Sequence, residues 1–402
     1  MNRIFCSLLF ALLPRVVLAQ FTGPGATADT AKQLNPEGKK PVFTLQTLRM
    51  APLYIFEIND NAKIDATHQF PGMRPLSDSF HFAGEQHLTN IRQLTFEGKN
   101  TRPEVDPADT HIVFQSQGIK PNSCDQLYRL PIATGVPAGR ISSGKGRASG
   151  AAFINGNEIL FSSTESANEG ACPPEPKEGF WPLDRSSTFY TADSNGKLLT
   201  PVNNGPTDFD GDAAVSPNGV NVLFTSTRTG EAELYTMSPD GSHLAPLTHE
   251  SGFAGEGAYA PDGKRIAFVE SHLTGRELTE YKRDILKGYF NPKGTEIYVM
   301  NADGSGLHAI THLGGVCASP CWTPDGAHII FSSNHLDPKG HAYDLFMINA
   351  DGTGLERITH GGGFNGFPTF THDGKQLLFC SSRHATHPGD INIFVADWTQ
   401  QP

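Results

Sequence analysis

The stretch Thr323-Pro324-Asp325-Gly326-Ala327-His328-Ile329-Ile330-Phe331 decides the fold, because its pattern returns along the chain. A branched residue or Leu stands two before a Phe at Ile112/Phe114, Ile159/Phe161, Val222/Phe224, Ile266/Phe268, Ile329/Phe331 and Leu377/Phe379. That alternation suits a half-buried strand, whose successive side chains face opposite sides. Turns of the same kind precede it at Ser216-Pro217-Asn218-Gly219, Ala260-Pro261-Asp262-Gly263 and Thr371-His372-Asp373-Gly374. Asn-Gly and Asp-Gly supply the positive φ of a tight hairpin. A third strand follows at Leu234-Tyr235, Ile297-Tyr298, Leu345-Phe346 and Ile393-Phe394, and then a second hairpin at Asp240-Gly241, Asp303-Gly304 and Asp351-Gly352. A fourth strand ends in Leu247-Thr248-His249, Ile310-Thr311-His312 and Ile358-Thr359-His360.

The unit is four antiparallel strands, a to d, repeated six times, and the fold class is an all-β, six-bladed β-propeller. The chain stops soon after Phe394, so the last blade lacks its own strand d. Ile91-Arg92-Gln93-Leu94-Thr95 reads like the other d strands and is expected to complete that blade, closing the ring. Insertions between strands b and c are expected near 164–186 and 271–294. The second reads as helix, with Leu278, Tyr281, Ile285 and Tyr289 on one face.

These repeats resemble the TolB-type, WD-like propeller repeats of bacterial envelope proteins, over about residues 85–398. His87-Leu88-Thr89-Asn90-Ile91-Arg92-Gln93-Leu94-Thr95-Phe96 and Cys124-Asp125-Gln126-Leu127-Tyr128 are similar to a subfamily found alone or fused to zinc aminopeptidases. The resemblance implies a periplasmic or secreted binding propeller. Two departures stand out. Residues 20–84 are too few to supply the α/β domain that precedes the propeller in TolB, and no peptidase domain follows the last blade.

Arg3, the apolar run Ile4 to Leu13 and the small residues around Val17-Leu18-Ala19 predict a signal peptide over 1–19, cleaved after Ala19. The expected organisation is that leader, an extension or tether over 20–84, and the propeller over 85–402, in the periplasm or secreted. No later segment is apolar enough to span a membrane. A net charge of −11 with no basic cluster argues against nucleic acid. Of the 6 cysteines, Cys6 falls in the leader. Cys124 and Cys172 are expected to form a disulfide, since both stand in b–c loops of neighbouring blades on one face. The pairing of Cys317, Cys321 and Cys380 is left open.

The a–b and c–d turns lie on one face, and the d–a crossovers and b–c insertions on the other, which is the expected binding face. Its candidate residues at the channel mouth are Glu104, Asp208, Asp210, Asp212, Glu256 and Asn365. Asp208, Asp210 and Asp212 could hold calcium, since carboxylates suit a hard cation, or the acidic crossovers could receive a ligand's amino group. The same carboxylates could instead cap their own loops. No cofactor is required by any motif. His249, His312 and His360 occupy one place in three blades, too far apart to share a zinc ion. No Gly-x-Ser-x-Gly occurs. The expected function is therefore non-enzymatic engagement of a protein or peptide of the cell envelope. The alternative is a metal-dependent, lactonase-like hydrolase with its site at the channel mouth.

Overall fold

The computed structural model describes residues 16–19, 54–57 and 80–400, leaving out 118–123, 134–138, 155, 157, 195 and 203–208. Met1–Pro75 and Leu76–Pro402 are separate units. In the first, Val16–Ala19 pairs antiparallel with Tyr54–Glu57. Most of the expected leader and of the 20–84 extension lies outside the described residues.

The second unit is a ring of six four-stranded sheets. Strands a, b, c and d of blade 1 are Asn100–Val105, His111–Ser116, Gln126–Pro131 and Gly139–Arg140. Those of blade 2 are Ala148–Phe153, Glu158–Ser163, Thr188–Asp193 and Leu198–Pro201. Blade 3 has Asp210–Val215, Val222–Ser226, Glu233–Met237 and Ala245–Pro246, and blade 4 has Gly252–Tyr259, Arg265–His272, Glu296–Asn301 and His308–Ala309. Blade 5 has Cys317–Trp322, His328–Ser333, Asp344–Asn349 and Glu356–Arg357. Blade 6 has Asn365–Phe370, Gln376–Ser381 and Asn392–Trp398, and takes Leu88–Gln93 as its fourth strand. Each a strand touches the a strands of the blades before and after it, and the last touches the first, so the a strands line the axis.

Two expectations need correction. Strand b is not half-buried: all five residues of Val222–Ser226 are buried, and so are the three central apolar residues of each other b strand. Each sheet is packed between two neighbours, so both of its faces are covered. Phe161 of blade 2 packs with Val113 of blade 1, and Phe224 of blade 3 with Phe189 of blade 2. Second, Tyr289 is outside the insertion helix, which runs Gly275–Ile285; it belongs to a short strand, Tyr289–Phe290. That strand pairs with Trp181–Pro182 of the other insertion, joining the b–c loops of blades 2 and 4. Trp181, Phe253, Tyr281 and Phe290 pack where they meet.

The propeller also begins before residue 85. Phe80 is buried in blade 6, and the fully buried Glu85 bonds Arg383, whose side chain is 1% exposed. Cys124 and Cys172 are joined by a disulfide, with Cα atoms 5.5 Å apart. Beside it Arg147 bonds Asp184 at 2.7 Å and also bonds Glu175, fastening the first insertion to blade 2. Cys317, Cys321 and Cys380 are free thiols.

Candidate functional site

The register of every a strand shifts once toward its crossover end, after the second residue of the strand in five blades and after the fourth, Gly255, in blade 4. At each shift one residue takes a left-handed conformation: Arg102 (φ 51°), Gly150 (60°), Asp212 (53°), Glu256 (50°), Ser319 (51°) and Phe367 (51°). A bulge of this kind is usually glycine, and it re-aims the side chain it carries. Five of these six are not glycine, and a non-glycine residue held there costs of order 1 kcal/mol.

These six residues meet across the axis. Arg102 of blade 1 reaches Asp212 of blade 3 and Glu256 of blade 4, both at 2.8 Å. The Ser319 amide of blade 5 donates to Glu256 Oε2 at 2.8 Å. The Phe367 ring of blade 6 lies 5.1 Å from the Arg102 guanidinium, within cation–π range. At Gly150 of blade 2 a Cβ would stand 3.1 Å from the Asp212 amide nitrogen, so the glycine admits that close approach. Burial alone would lower the Arg102 pKa, and the carboxylates of Asp212 and Glu256 outweigh it, raising the value. Burial raises Glu256 despite Arg102 beside it. An ion cluster with one cation and two anions therefore spans the axis near the crossover face.

The expected site residues divide accordingly. Asp212 and Glu256 come together, though around Arg102, which the sequence reading did not include. Glu104 lies on the same a strand, half-buried, and burial pushes its carboxyl from 4.5 up to about 7. Asp210 is not at the mouth: it is fully buried and both of its oxygens accept from Arg228, at 3.0 and 3.1 Å. Asn365 is likewise buried between blades, donating to Asp344 at 3.1 Å and accepting from Ser381 at 2.8 Å. Asp208 lies outside the described residues. The carboxylates of Asp210 and Asp212 thus face different arginines. Among the described residues, no group of three or more His, Cys, Asp or Glu is arranged to hold a metal ion.

Glu104 yields a pH test. Between 4.5 and about 7 the unfolded chain loses a proton that the folded chain keeps, so this residue's contribution falls as pH rises through that window. Glu104→Gln should raise the melting midpoint by several degrees at pH 8 and leave it unmoved at pH 4. Thermal melts at the two pH values check this, and a midpoint lowered at pH 8 would contradict it.

Comparison with known proteins places these features. A profile of the TolB β-propeller domain matches residues 288–399. The chain is 25% identical over 138 residues to "Protein TolB homolog" of Chlorobium luteolum, covering 29% of this chain and 32% of that one. It is 32% identical over 106 residues to "Tol-Pal system protein TolB" of Anaeromyxobacter dehalogenans, covering 26% and 20%. The matches therefore span a third or less of these relatives' lengths. Among solved structures, a gluconolactonase from Xanthomonas campestris has a TM-score of 0.51 at 12% identity, covering 78% of this chain and 91% of that one, a likeness of fold alone.

Proposed function

We propose that this chain, a TolB-like six-bladed β-propeller, is an exported, non-enzymatic binding module of the bacterial cell envelope. It engages a protein or peptide through the face that bears the d–a crossovers and b–c insertions. The observation that carries this reading is the joining of the two insertions into one platform. Trp181–Pro182 pairs with Tyr289–Phe290 over a shared aromatic core, and the Cys124–Cys172 disulfide and Arg147 tie down the first insertion. Loops fixed in this way present a surface with little ordering entropy left to lose on binding. Calcium at Asp208, Asp210 and Asp212 is not part of this reading, and neither is the lactonase-like alternative. Each needs oxygen ligands free to converge, whereas Asp212 and Glu256 are held by Arg102 and Asp210 by Arg228. The TolB likeness and the apolar N-terminal run support the envelope location and the partner class; no described helix is long and apolar enough to cross a membrane.

The test is photocrosslinking in the native envelope from three exposed positions. Leu286 is 65% exposed in the second insertion, Leu336 is 61% exposed in the b–c loop of blade 5, and Val220 is 57% exposed in an a–b turn on the opposite face. A photoreactive residue at 286 or 336 should capture a discrete protein or peptide that position 220 does not. Capture from 220 alone would assign binding to the other face and overturn the proposal.

A further inference from the structure

The ring is closed by strands from its two ends, and one histidine sits where they meet. His87 stands just before the closing strand Leu88–Gln93 and is 2% exposed. The Thr399 amide donates to the His87 carbonyl at 3.0 Å, and the Thr399 carbonyl lies 2.6 Å from His87 Nδ1. On the other side of the ring, His87 Nε2 lies 3.0 Å from Oε1 of Glu356, in strand d of blade 5. The imidazole also stacks on the Trp398 indole, with centroids 4.9 Å apart. One side chain thus ties the entry to the closing strand, the C-terminal tail and the neighbouring blade.

The contacts of this ring hold more acceptors than a neutral imidazole can serve. A carbonyl oxygen only accepts, so the contact with Thr399 places a proton on Nδ1. A neutral imidazole has a single N–H, which leaves Nε2 with a lone pair aimed at Glu356. An ionised carboxylate also only accepts, so two lone pairs would face each other at 3.0 Å. Both contacts are made only when a further proton lies between Nε2 and Oε1. The ring is then an imidazolium beside a carboxylate and against the face of an indole. Burial opposes that charge, while the carboxylate and the indole face both favour it.

We propose that His87, Glu356, Thr399 and Trp398 form a pH-sensitive clasp on the ring closure, fastened while His87 and Glu356 share a proton and loosened when that proton leaves. The other charged groups on the surrounding elements are engaged elsewhere. Glu85 pairs with Arg383, Arg357 with Asp344 and Lys375 with Asp373, while Asp397 accepts from Asn90 and Gln376. His81 bonds the Glu85 carbonyl. Glu356 is 45% exposed, so the proton can exchange with solvent without the core opening.

The folded pair holds a proton that an unfolded histidine gives up at about pH 6.5. The clasp therefore stabilises the protein below that value, and its contribution is lost as the pH rises and the proton leaves. What loosens is the seam: the tail at Thr399 and the entry to the closing strand. The strand's own ladder with Asn392–Trp398 contains no titrating bond and stays.

Thermal melts of the intact protein between pH 5.5 and 8.5 test this, with His87→Gln and Glu356→Gln. The wild-type midpoint should exceed that of His87→Gln by several degrees at pH 5.5 and by less than half as much at pH 8.5. Comparing the two at each pH cancels titrations elsewhere in the molecule. Glu356→Gln should change sign with pH. Its amide can donate to Nε2 of a neutral ring, so no shared proton is needed. That variant should be less stable than wild type at pH 5.5 and equal to it or more stable at pH 8.5. A merely structural contact predicts the same difference at both pH values. Histidine-selective ¹⁵N spectra at pH 7 should show two ring nitrogens of imidazolium type that are absent from His87→Gln. Should His87→Gln fail to fold, Glu356→Gln decides alone, because its side chain lies at the surface. A wild-type advantage over His87→Gln that does not change with pH would overturn the proposal. So would Glu356→Gln being less stable than wild type at pH 8.5, or an unprotonated Nε2 on His87 at pH 7.

Discussion

Deletion of residues 80–95 should leave no cooperatively folded propeller. The deletion removes strand Leu88–Gln93 from Asn392–Trp398, exposing a sheet edge whose backbone groups then lack partners. It also takes Phe80, Leu88, Ile91 and Leu94 out of the core, each worth about 1.5–3 kcal/mol of burial. Arg383 loses Glu85, and stripping one partner from a buried pair costs about 3–5 kcal/mol. Together these amount to roughly 9–17 kcal/mol, as much as the whole of the roughly 5–15 kcal/mol that stabilises a typical domain. Circular dichroism on heating should show no sigmoidal transition, and the shortened chain should aggregate. A synthetic peptide of residues 80–96 added in trans should restore the transition. An unchanged midpoint without the peptide would mean that the strand is dispensable.

Arg102→Met should be the most damaging single substitution at the axis. Asp212 and Glu256 would be left facing each other without a cation, at a cost of about 3–5 kcal/mol at pH 8. The sign with pH is opposite to that of an ordinary carboxylate pair. Without Arg102 the buried Glu256 carboxyl would ionise at higher pH in the folded chain than in the unfolded one. The folded state would then hold an extra proton, and stability would fall as pH rises. Urea unfolding at pH 5 should therefore recover much of the loss seen at pH 8, and Glu256→Gln added to Arg102→Met should recover part of it. Wild-type stability of Arg102→Met at pH 8 would show that the ion cluster contributes nothing.

The propeller was legible because its signals are local and repeated: a hairpin dipeptide, then an apolar pair ending in Phe. The axial cluster was not, since it joins blades 1, 3, 4, 5 and 6 through single residues far apart in sequence. Asp212 and Glu256 stood out as acidic residues near crossovers, but acidity alone cannot separate them from Asp210, which the fold directs between sheets to Arg228. A usable signal existed. Arg102, Asp212, Glu256, Ser319 and Phe367 each stand twelve residues before the Phe of strand b, so aligning the repeats on that Phe puts them in one column. Burial on both faces of strand b was misread for a related reason, because alternation along one strand says nothing of a neighbouring blade.

The strand that closes the ring also sets an order of events in time. Thr95 and Ile393, bonded across the closure, are 298 residues apart in sequence. Contacts that distant form late, since the entropy of closing a long loop is lost before the contact returns anything. Until Asn392–Trp398 is synthesised, Leu88–Gln93 has no partner strand. The first five blades can assemble stepwise from short-range hairpins, but the molecule stays an open arc, with an adhesive edge at each end, until its earliest and latest strands meet. Each molecule must find its own strand before a second copy offers an identical one, so concentration during folding decides between a closed ring and a strand-exchanged pair.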